Sequence, residues 1–150
     1  MRDPEAGKAL AILDRELYRA RVLAFYGDRG FAASQACQTL CAEAVSFEIV
    51  GDAVLHPFVG RRFGRAGMVE ALRAFNIDLE CLGAKVEEVL IDADRVAVRR
   101  LLALRHRGSG RRVEVRCFDY FSFDLGAISA IVLFMDTAKV SRVTDRLSPV

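Results

Sequence analysis

The fold is decided by residues 113–136, which read VEVRCFDYFSFDLGAISAIVLFMD. Up to Asp124, apolar side chains recur at every second position, which is the period of a β-strand, and a second apolar run follows the DLG turn. We therefore predict a hairpin of two antiparallel strands, at about 111–124 and 127–136.

Further strands are readable towards the N-terminus. Two lie at about 84–92 and 95–107, and the sequence GSGR joins the second of them to the hairpin. The β-rich run VSFEIV at 45–50 predicts one earlier strand. The glycines and prolines between Gly51 and Gly67 predict a long loop after that strand.

Three helices are predicted upstream of the hairpin. Asp3 and Pro4 form a good N-cap and first-turn pair for the first helix. Apolar residues at helical spacing are expected to form the buried faces, as follows: Leu13, Leu17, Ala20 and Ala24; then Ala33, Cys37 and Leu40; then Met68, Leu72, Phe75 and Leu79. Helices followed by a run of antiparallel strands are typical of an α+β domain.

Composition narrows the class of protein. The chain has 150 residues, 53% hydrophobic and 28% charged, which predicts a single folded domain over 1–150 with no membrane span. A net charge of +2 argues against nucleic-acid binding. The start lacks the apolar core of a secretion signal, so a cytoplasmic location is expected by default. Four cysteines without CxxC spacing, and no phosphate-cradling loop, predict no metal and no organic cofactor.

Three passages resemble the NTF2-like superfamily, and within it the ketosteroid isomerase and SnoaL-like polyketide cyclase group. They are LCAEAVSFEIVG at 40–51, FVGRRFGRAGMVEAL at 58–72, and the stretch at 113–136. The resemblance implies a cone-shaped fold in which the helices pack on the concave face of a curved antiparallel sheet and close a pocket there. It also implies a homodimer packed through the open sheet face. It implies no activity, because enzymes and binding subunits share this shape.

Asp119 is the strongest candidate for a catalytic residue. By resemblance it matches the aspartate that isomerases keep as a hydrogen-bond donor and that SnoaL-like cyclases keep as an acid or base. It is also the polar member of an apolar row, where desolvation should raise its pKa unless a cation lies nearby. The carboxylate base that steroid isomerases keep on the first strand is absent, because Ile49 stands there and Glu48 should point to the other face.

Arg100 is predicted to lie directly opposite Asp119. If Gly108 pairs with Arg111 in the GSGR turn, the numbers of opposed residues sum to 219, which brings the two together. An aspartate opposed by an arginine would stay ionised and could act as a base or an anchor. The alternative is a buried ion pair that only stabilises the sheet.

Two classes of function remain open. The first is a small enzyme of SnoaL-like type that performs acid/base chemistry on a hydrophobic, oxygenated small molecule, with Asp119, Arg100 and His56 as catalytic residues. The second is a non-catalytic, dimeric binding or accessory domain. Ligand-binding residues are predicted to be Tyr26, Phe58, Phe75, Cys117 and Phe121. The loop that carries His56 and Phe58 is expected to cover the pocket, and Phe118 and Tyr120 to form the dimer surface.

Overall fold

The computed structural model describes residues 3–27 and 39–144 of the chain. These residues form three complete helices and six strands, in this order: α1 (Pro4–Tyr26), β1 (Cys41–Val50), β2 (Gly60–Phe63), α2 (Gly64–Asp78), β3 (Leu79–Asp92), β4 (Arg95–His106), β5 (Arg112–Asp124), β6 (Ala127–Met135) and α3 (Thr137–Thr144). The predicted α+β class and the predicted hairpin are confirmed. The second predicted helix falls mostly outside the described residues, although Thr39 and Leu40 are helical.

The strands form one unclosed sheet in the order β2-β1-β6-β5-β4-β3. Neighbouring strands are antiparallel except β1 and β6, which run parallel. The prediction of a wholly antiparallel sheet is therefore wrong at this pair. A tight hairpin forces its two strands to be antiparallel, whereas β1 and β6 are separated by most of the chain and no turn fixes their direction.

The predicted loop between Gly51 and Gly67 is shorter than expected, because only residues 51–59 lie outside helices and strands. It contains β2, which pairs antiparallel with β1, and the first turn of α2. Gly60 and Gly64 have φ angles of 124° and 76°, a region that side chains other than glycine rarely adopt. Gly60 and Gly64 thus mark the two ends of a short edge strand that follows the loop.

Helix α1 begins as predicted, because Asp3 accepts a hydrogen bond of 2.9 Å from the backbone N–H of Glu5 and Pro4 occupies the first turn. Its predicted apolar face is wrong. Leu13 is 60% exposed, and the buried residues of α1 are Val22, Phe25 and Tyr26. Helical periodicity identified a helix here, but only its part from Tyr18 onward packs against the core of the described structure.

The inner face of the sheet carries the core. Along β5 the alternate residues Val115, Cys117, Asp119, Phe121 and Phe123 are all buried, as predicted, and so are the even-numbered residues of β4 from Val96 to Leu104. Helix α2 adds Met68, Leu72 and Phe75 to the same core. None of the helices in the described residues is long and apolar enough to cross a membrane.

Candidate functional site

A buried cluster of three polar side chains lies in this apolar core. The hydroxyl of Tyr26, at the end of α1, donates a hydrogen bond of 2.6 Å to Oδ2 of Asp119 on β5. Nε of Arg100, on β4, donates to the same oxygen at 2.5 Å. Asp119 is 2% exposed and Arg100 is 1% exposed, so both charges lie out of contact with solvent. The prediction that Arg100 and Asp119 pair on the inner face is confirmed, and Tyr26 completes the cluster.

The register that brings them together differs from the predicted one. The turn after β4 is a four-residue loop in which His106 pairs with Arg111, so every opposed pair is shifted by two residues. Arg100 therefore lies opposite Cys117, not opposite Asp119. The longer turn is stabilised locally: Gly110 has a φ of 74° and its N–H donates to the carbonyl oxygen of His106. A two-residue shift keeps every side chain on its face, which is why the ion pair survives the error.

Electrostatics couples the three groups. Burial raises the pKa of Asp119 above its usual value, although Arg100 and the Tyr26 hydroxyl oppose this effect. Burial disfavours the charge on Arg100, but the neighbouring Asp119 and Tyr26 outweigh it and raise the pKa of the guanidinium. Burial, reinforced by the charge of Asp119, also raises the pKa of Tyr26. Tyr26 therefore remains a protonated donor, and Arg100 remains a cation.

The ion pair favours the ionised form of Asp119. A protonated Asp119 would leave Arg100 as a buried cation without its partner, which is more costly than burying the pair. The guanidinium carbon of Arg100 also lies 4.2 Å from the centre of the Tyr26 ring, a cation–π contact that holds the arginine in place. The ion pair and the Tyr26 ring thus form one contiguous cluster.

The two oxygens of the Asp119 carboxylate differ. Oδ2 accepts both hydrogen bonds of the cluster. Oδ1 is buried and accepts no hydrogen bond from any part of the chain that the structure describes. A buried carboxylate oxygen without a donor is rare in folded proteins and has to be explained by strain, a bound water, a ligand or a chemical role. Oδ1 is therefore the atom of this cluster that can accept a hydrogen bond or a proton from a bound molecule.

The surroundings of the cluster are apolar and aromatic. The ring of Phe121 lies edge-on to those of Tyr26 and Phe25, with centroids 5.9 and 5.5 Å apart. Cys117, opposite Arg100, is buried, and burial raises its pKa to about 12, so it stays a thiol. Of the predicted ligand-binding residues, Tyr26, Cys117 and Phe121 thus lie around Asp119. The direct hydrogen bond from Tyr26 to Asp119 was not predicted, and the sequence carries no signal for it.

His56 belongs to a second group of residues. It is buried, stacks on Phe58 at 5.0 Å between ring centroids, and Phe58 contacts Phe75 edge-on at the same distance. Nε2 of His56 lies 2.9 Å from Oγ of Ser141 and 3.2 Å from the carbonyl oxygen of Thr137, both on α3. Among the described residues, no hydrogen bond or ring contact joins this group to Asp119. The structure therefore ties His56 to a helix, a role that sequence reasoning did not foresee.

The structure also places Ile49 and Glu48 on β1 and Asp136 before α3. Ile49, which the sequence resemblance matched to the base of steroid isomerases, is fully buried on β1, and Glu48 beside it points to the opposite face, as predicted. Asp136 accepts a hydrogen bond of 3.1 Å from the N–H of Lys139 and so caps α3. In the described ranges, no three His, Cys, Asp or Glu side chains come close enough to hold a metal ion.

We compared the sequence and the structure with known proteins in order to identify the fold. No protein-family model and no curated protein matches this sequence. Solved structures do match. An NTF2-like protein of unknown function from Burkholderia pseudomallei has a TM-score of 0.73 at 16% identity, covering 87% of this chain and 95% of that one. A candidate SnoaL-like polyketide cyclase from Jannaschia sp. CCS1 has a TM-score of 0.69 at 16% identity, covering 99% of each chain.

A third match has a bound molecule. It is a hypothetical protein with a ketosteroid isomerase-like fold from Catenulispora acidiphila, in complex with trimethylamine, with a TM-score of 0.67 at 13% identity; the alignment covers 89% of this chain and 98% of that one. Identities this low establish the shape alone. The chain therefore has the NTF2-like fold that SnoaL-like polyketide cyclases and ketosteroid isomerase-like proteins share.

Proposed function

We propose that this protein is a small enzyme of SnoaL-like type that performs acid/base chemistry on a hydrophobic, oxygen-bearing small molecule. The observation that carries the proposal is the asymmetric carboxylate of Asp119, whose Oδ2 accepts two hydrogen bonds while its buried Oδ1 accepts none in the described structure. A carboxylate held in this way, with its pKa raised by burial, is suited to take up and release a proton.

The three residues have separate tasks in this reaction. Oδ1 of Asp119 accepts a proton from the substrate, this proton exchanges with solvent while it is on the carboxylate, and a proton is then returned to another atom of the same molecule, so no co-reactant and no cofactor is required. Arg100 keeps its charge throughout and stabilises negative charge that develops on the substrate oxygen. Tyr26 holds Oδ2 and so directs Oδ1 towards the substrate. His56 enters the proposal only as a candidate for charge stabilisation, because the described contacts attach it to α3.

The pocket belongs to the same proposal. We place it between the helices and the concave side of a cone-shaped sheet, with Cys117 and Phe121 as its apolar wall beside Asp119 and with Phe58 and Phe75 further from the carboxylate. The aromatic contacts of Phe121 support this arrangement, because they hold an apolar ring next to the Tyr26 side chain that binds Asp119.

A second candidate function is a non-catalytic binding or accessory domain. The observation that favours it is the buried Ile49 on β1, where the resemblance to steroid isomerases would place a base, together with an ion pair formed within the chain. In this case Asp119 and Arg100 stabilise the sheet, and any ligand is held without being changed.

We also propose a homodimer packed through the outer sheet face, which we define by Leu90, Phe118, Tyr120 and Phe134. These side chains are between 43% and 60% exposed, and Phe118 lies directly opposite Phe134. Two ion pairs lie beside these residues, Arg116 with Glu87 at 3.3 Å and Arg99 with Glu88 at 3.5 Å. A second copy would therefore meet an apolar patch without excess charge of either sign.

Proton transfer to and from carbon distinguishes the two functions. The protein is incubated in D₂O with a panel of apolar enols and hydroxyl-bearing ketones, and deuterium uptake next to the carbonyl is followed by NMR. The enzyme proposal expects uptake that the parent accelerates and that Asp119→Asn abolishes. Asp124→Asn, an exposed aspartate at the end of the same strand, serves as the matched control. Ligands that bind without accelerated exchange would support the binding domain.

The folded state of the variant must be checked in the same experiment. Asp119→Asn leaves Arg100 charged and without its partner, which is expected to destabilise the protein. The double variant Arg100→Met/Asp119→Leu removes both charges and keeps an apolar core, so it supplies a folded protein without the carboxylate.

A further inference from the structure

The buried carboxylate also selects the ligand. Resting on the function proposed above, we infer that the site at Asp119 binds a neutral hydroxyl group, which donates its hydrogen bond to Oδ1, and that it discriminates against ethers, ketones and carboxylates of the same shape.

The hydrogen-bond inventory of the carboxylate is the first step. Oδ2 of Asp119 already accepts from Tyr26 and from Arg100, at 2.6 and 2.5 Å. Oδ1 is buried and accepts no hydrogen bond from the described chain. An ionised carboxylate can only accept hydrogen bonds, so the missing partner must be a donor. An ether or ketone oxygen placed beside Oδ1 can also only accept hydrogen bonds, so the lone pairs of the two oxygens would repel each other.

Charge is the second step. The Asp119 carboxylate and the Arg100 guanidinium balance each other, with side chains that are 0% and 1% exposed. A further cation would be buried beside Arg100, and a further anion would be buried beside Oδ1; either is unfavourable in a medium of low dielectric constant. A neutral donor avoids both penalties, and a hydroxyl group is the smallest such donor in an oxygenated molecule.

The apolar neighbours are the third step. Phe121 and Phe25 pack edge-on beside the cluster, and Cys117 is a buried thiol opposite Arg100. A flat, apolar body that carries the hydroxyl would contact ring edges and sulfur without leaving another polar atom unpaired. The geometry therefore favours an aryl or enol hydroxyl over the hydroxyl of a sugar, which brings several donors that the apolar neighbours cannot satisfy.

Four naphthalene probes of similar size test the inference: 2-naphthol, 2-methoxynaphthalene, 2-acetylnaphthalene and 2-naphthoate. Their binding is followed by naphthalene fluorescence, for which the absence of tryptophan from the chain gives a low background. We expect 2-naphthol to bind the parent protein at least about tenfold more tightly than the other three, which is the factor that one well-placed hydrogen bond provides. The preference should disappear in Arg100→Met/Asp119→Leu and persist in Asp124→Asn.

Several outcomes would overturn the inference. Equal binding of 2-naphthol and its methyl ether would show that Oδ1 has another partner, such as a bound water. Tighter binding of the ketone would show that Asp119 is protonated and donates. A preference that survives in the folded double variant would assign it to another group, and no binding of any probe would show that the site is closed. Because these are equilibrium measurements, a hydroxyl preference without proton exchange would overturn the enzyme proposal alone, and exchange without the preference would overturn this inference alone.

Discussion

Arg100 and Asp119 form an ion pair although they do not face each other in the sheet. Arg100 lies opposite Cys117, and Asp119 lies opposite Val98. The two are diagonal neighbours on the inner face, a separation that the long arginine side chain can span. Nε of Arg100 therefore reaches Oδ2 of Asp119 at 2.5 Å, while Oδ1 receives no hydrogen bond within the described chain. A directly opposed, bidentate pair would have occupied both oxygens.

The ion pair should be strongly coupled in stability measurements. Arg100→Met is expected to lower the free energy of unfolding by about 3–5 kcal/mol at neutral pH, because it leaves a buried carboxylate without its cation. The double variant Arg100→Met/Asp119→Leu should be much less destabilised. Urea unfolding of the parent, both single variants and the double variant measures the coupling energy. A double variant as unstable as the sum of the two single variants would contradict the coupling.

The cost of Arg100→Met should depend on pH. Burial raises the pKa of Asp119 in the folded protein, and loss of Arg100 removes a charge that opposes this rise. The folded variant then binds a proton more tightly than the unfolded chain, so its stability is retained below the unfolded pKa of about 4 and falls as pH rises above it. The difference between variant and parent should therefore be larger at neutral pH than at about pH 4. If the variant and the parent differ in stability by the same amount at both pH values, the prediction is wrong.

Tyr26→Phe should shift the pH dependence of ligand binding. The Tyr26 hydroxyl lowers the pKa of Asp119, so its removal raises that pKa. Binding of 2-naphthol requires the ionised carboxylate and is lost as pH falls through this pKa; the loss should therefore occur at higher pH in the variant. The lost hydrogen bond to a charged group should also lower the free energy of unfolding by about 1–3 kcal/mol. Tyr120→Phe, on the outer sheet face, should leave the pH profile of the parent unchanged.

Phe118→Glu should dissociate the proposed homodimer. It would bury a carboxylate in the apolar patch that Phe118 forms with Phe134, and central aromatic residues of interfaces contribute about 2 kcal/mol or more, which corresponds to a roughly 30-fold weaker dimer. Analytical ultracentrifugation of the parent and the variant measures this. Leu125→Glu, fully exposed at the turn between β5 and β6, is the control. A monomeric parent at micromolar concentration would contradict the proposal.

His56→Ala separates a structural role from a catalytic one. The substitution removes the hydrogen bonds to Ser141 and Thr137 and the stacking on Phe58, so we expect a loss of about 1–3 kcal/mol in the free energy of unfolding. Binding of 2-naphthol should change little, because no described contact joins His56 to Asp119. Ser141→Ala removes the same hydrogen bond from the other side and should also destabilise α3. If a stably folded His56→Ala protein loses proton exchange, His56 has a catalytic role and the structural interpretation is wrong.

Much of the candidate site could be predicted from β5. Strand alternation places Cys117, Asp119 and Phe121 on one buried face because successive side chains of any strand point to opposite sides. The predicted sum of 219 for opposed residue numbers is odd, and any odd sum places Arg100 on that same face. The exact register could not be predicted, since it depends on whether the turn contains two or four residues, and Gly108 and Gly110 permit both.

Sequence by itself thus determined the class of the fold, the inner face of β4 and β5, and the presence of one acidic and one basic side chain in the core, because each of these follows from local periodicity. Tertiary structure alone decided three further features: the parallel pairing of β1 with β6, the burial of His56 against α3, and the position of Tyr26 on Oδ2 of Asp119. Tyr26 and Asp119 are 93 residues apart in the chain. Contacts of this kind depend on how α1 packs against the sheet. The periodicity of each element shows which of its faces is buried, but it does not show which residues of the other element that face will contact.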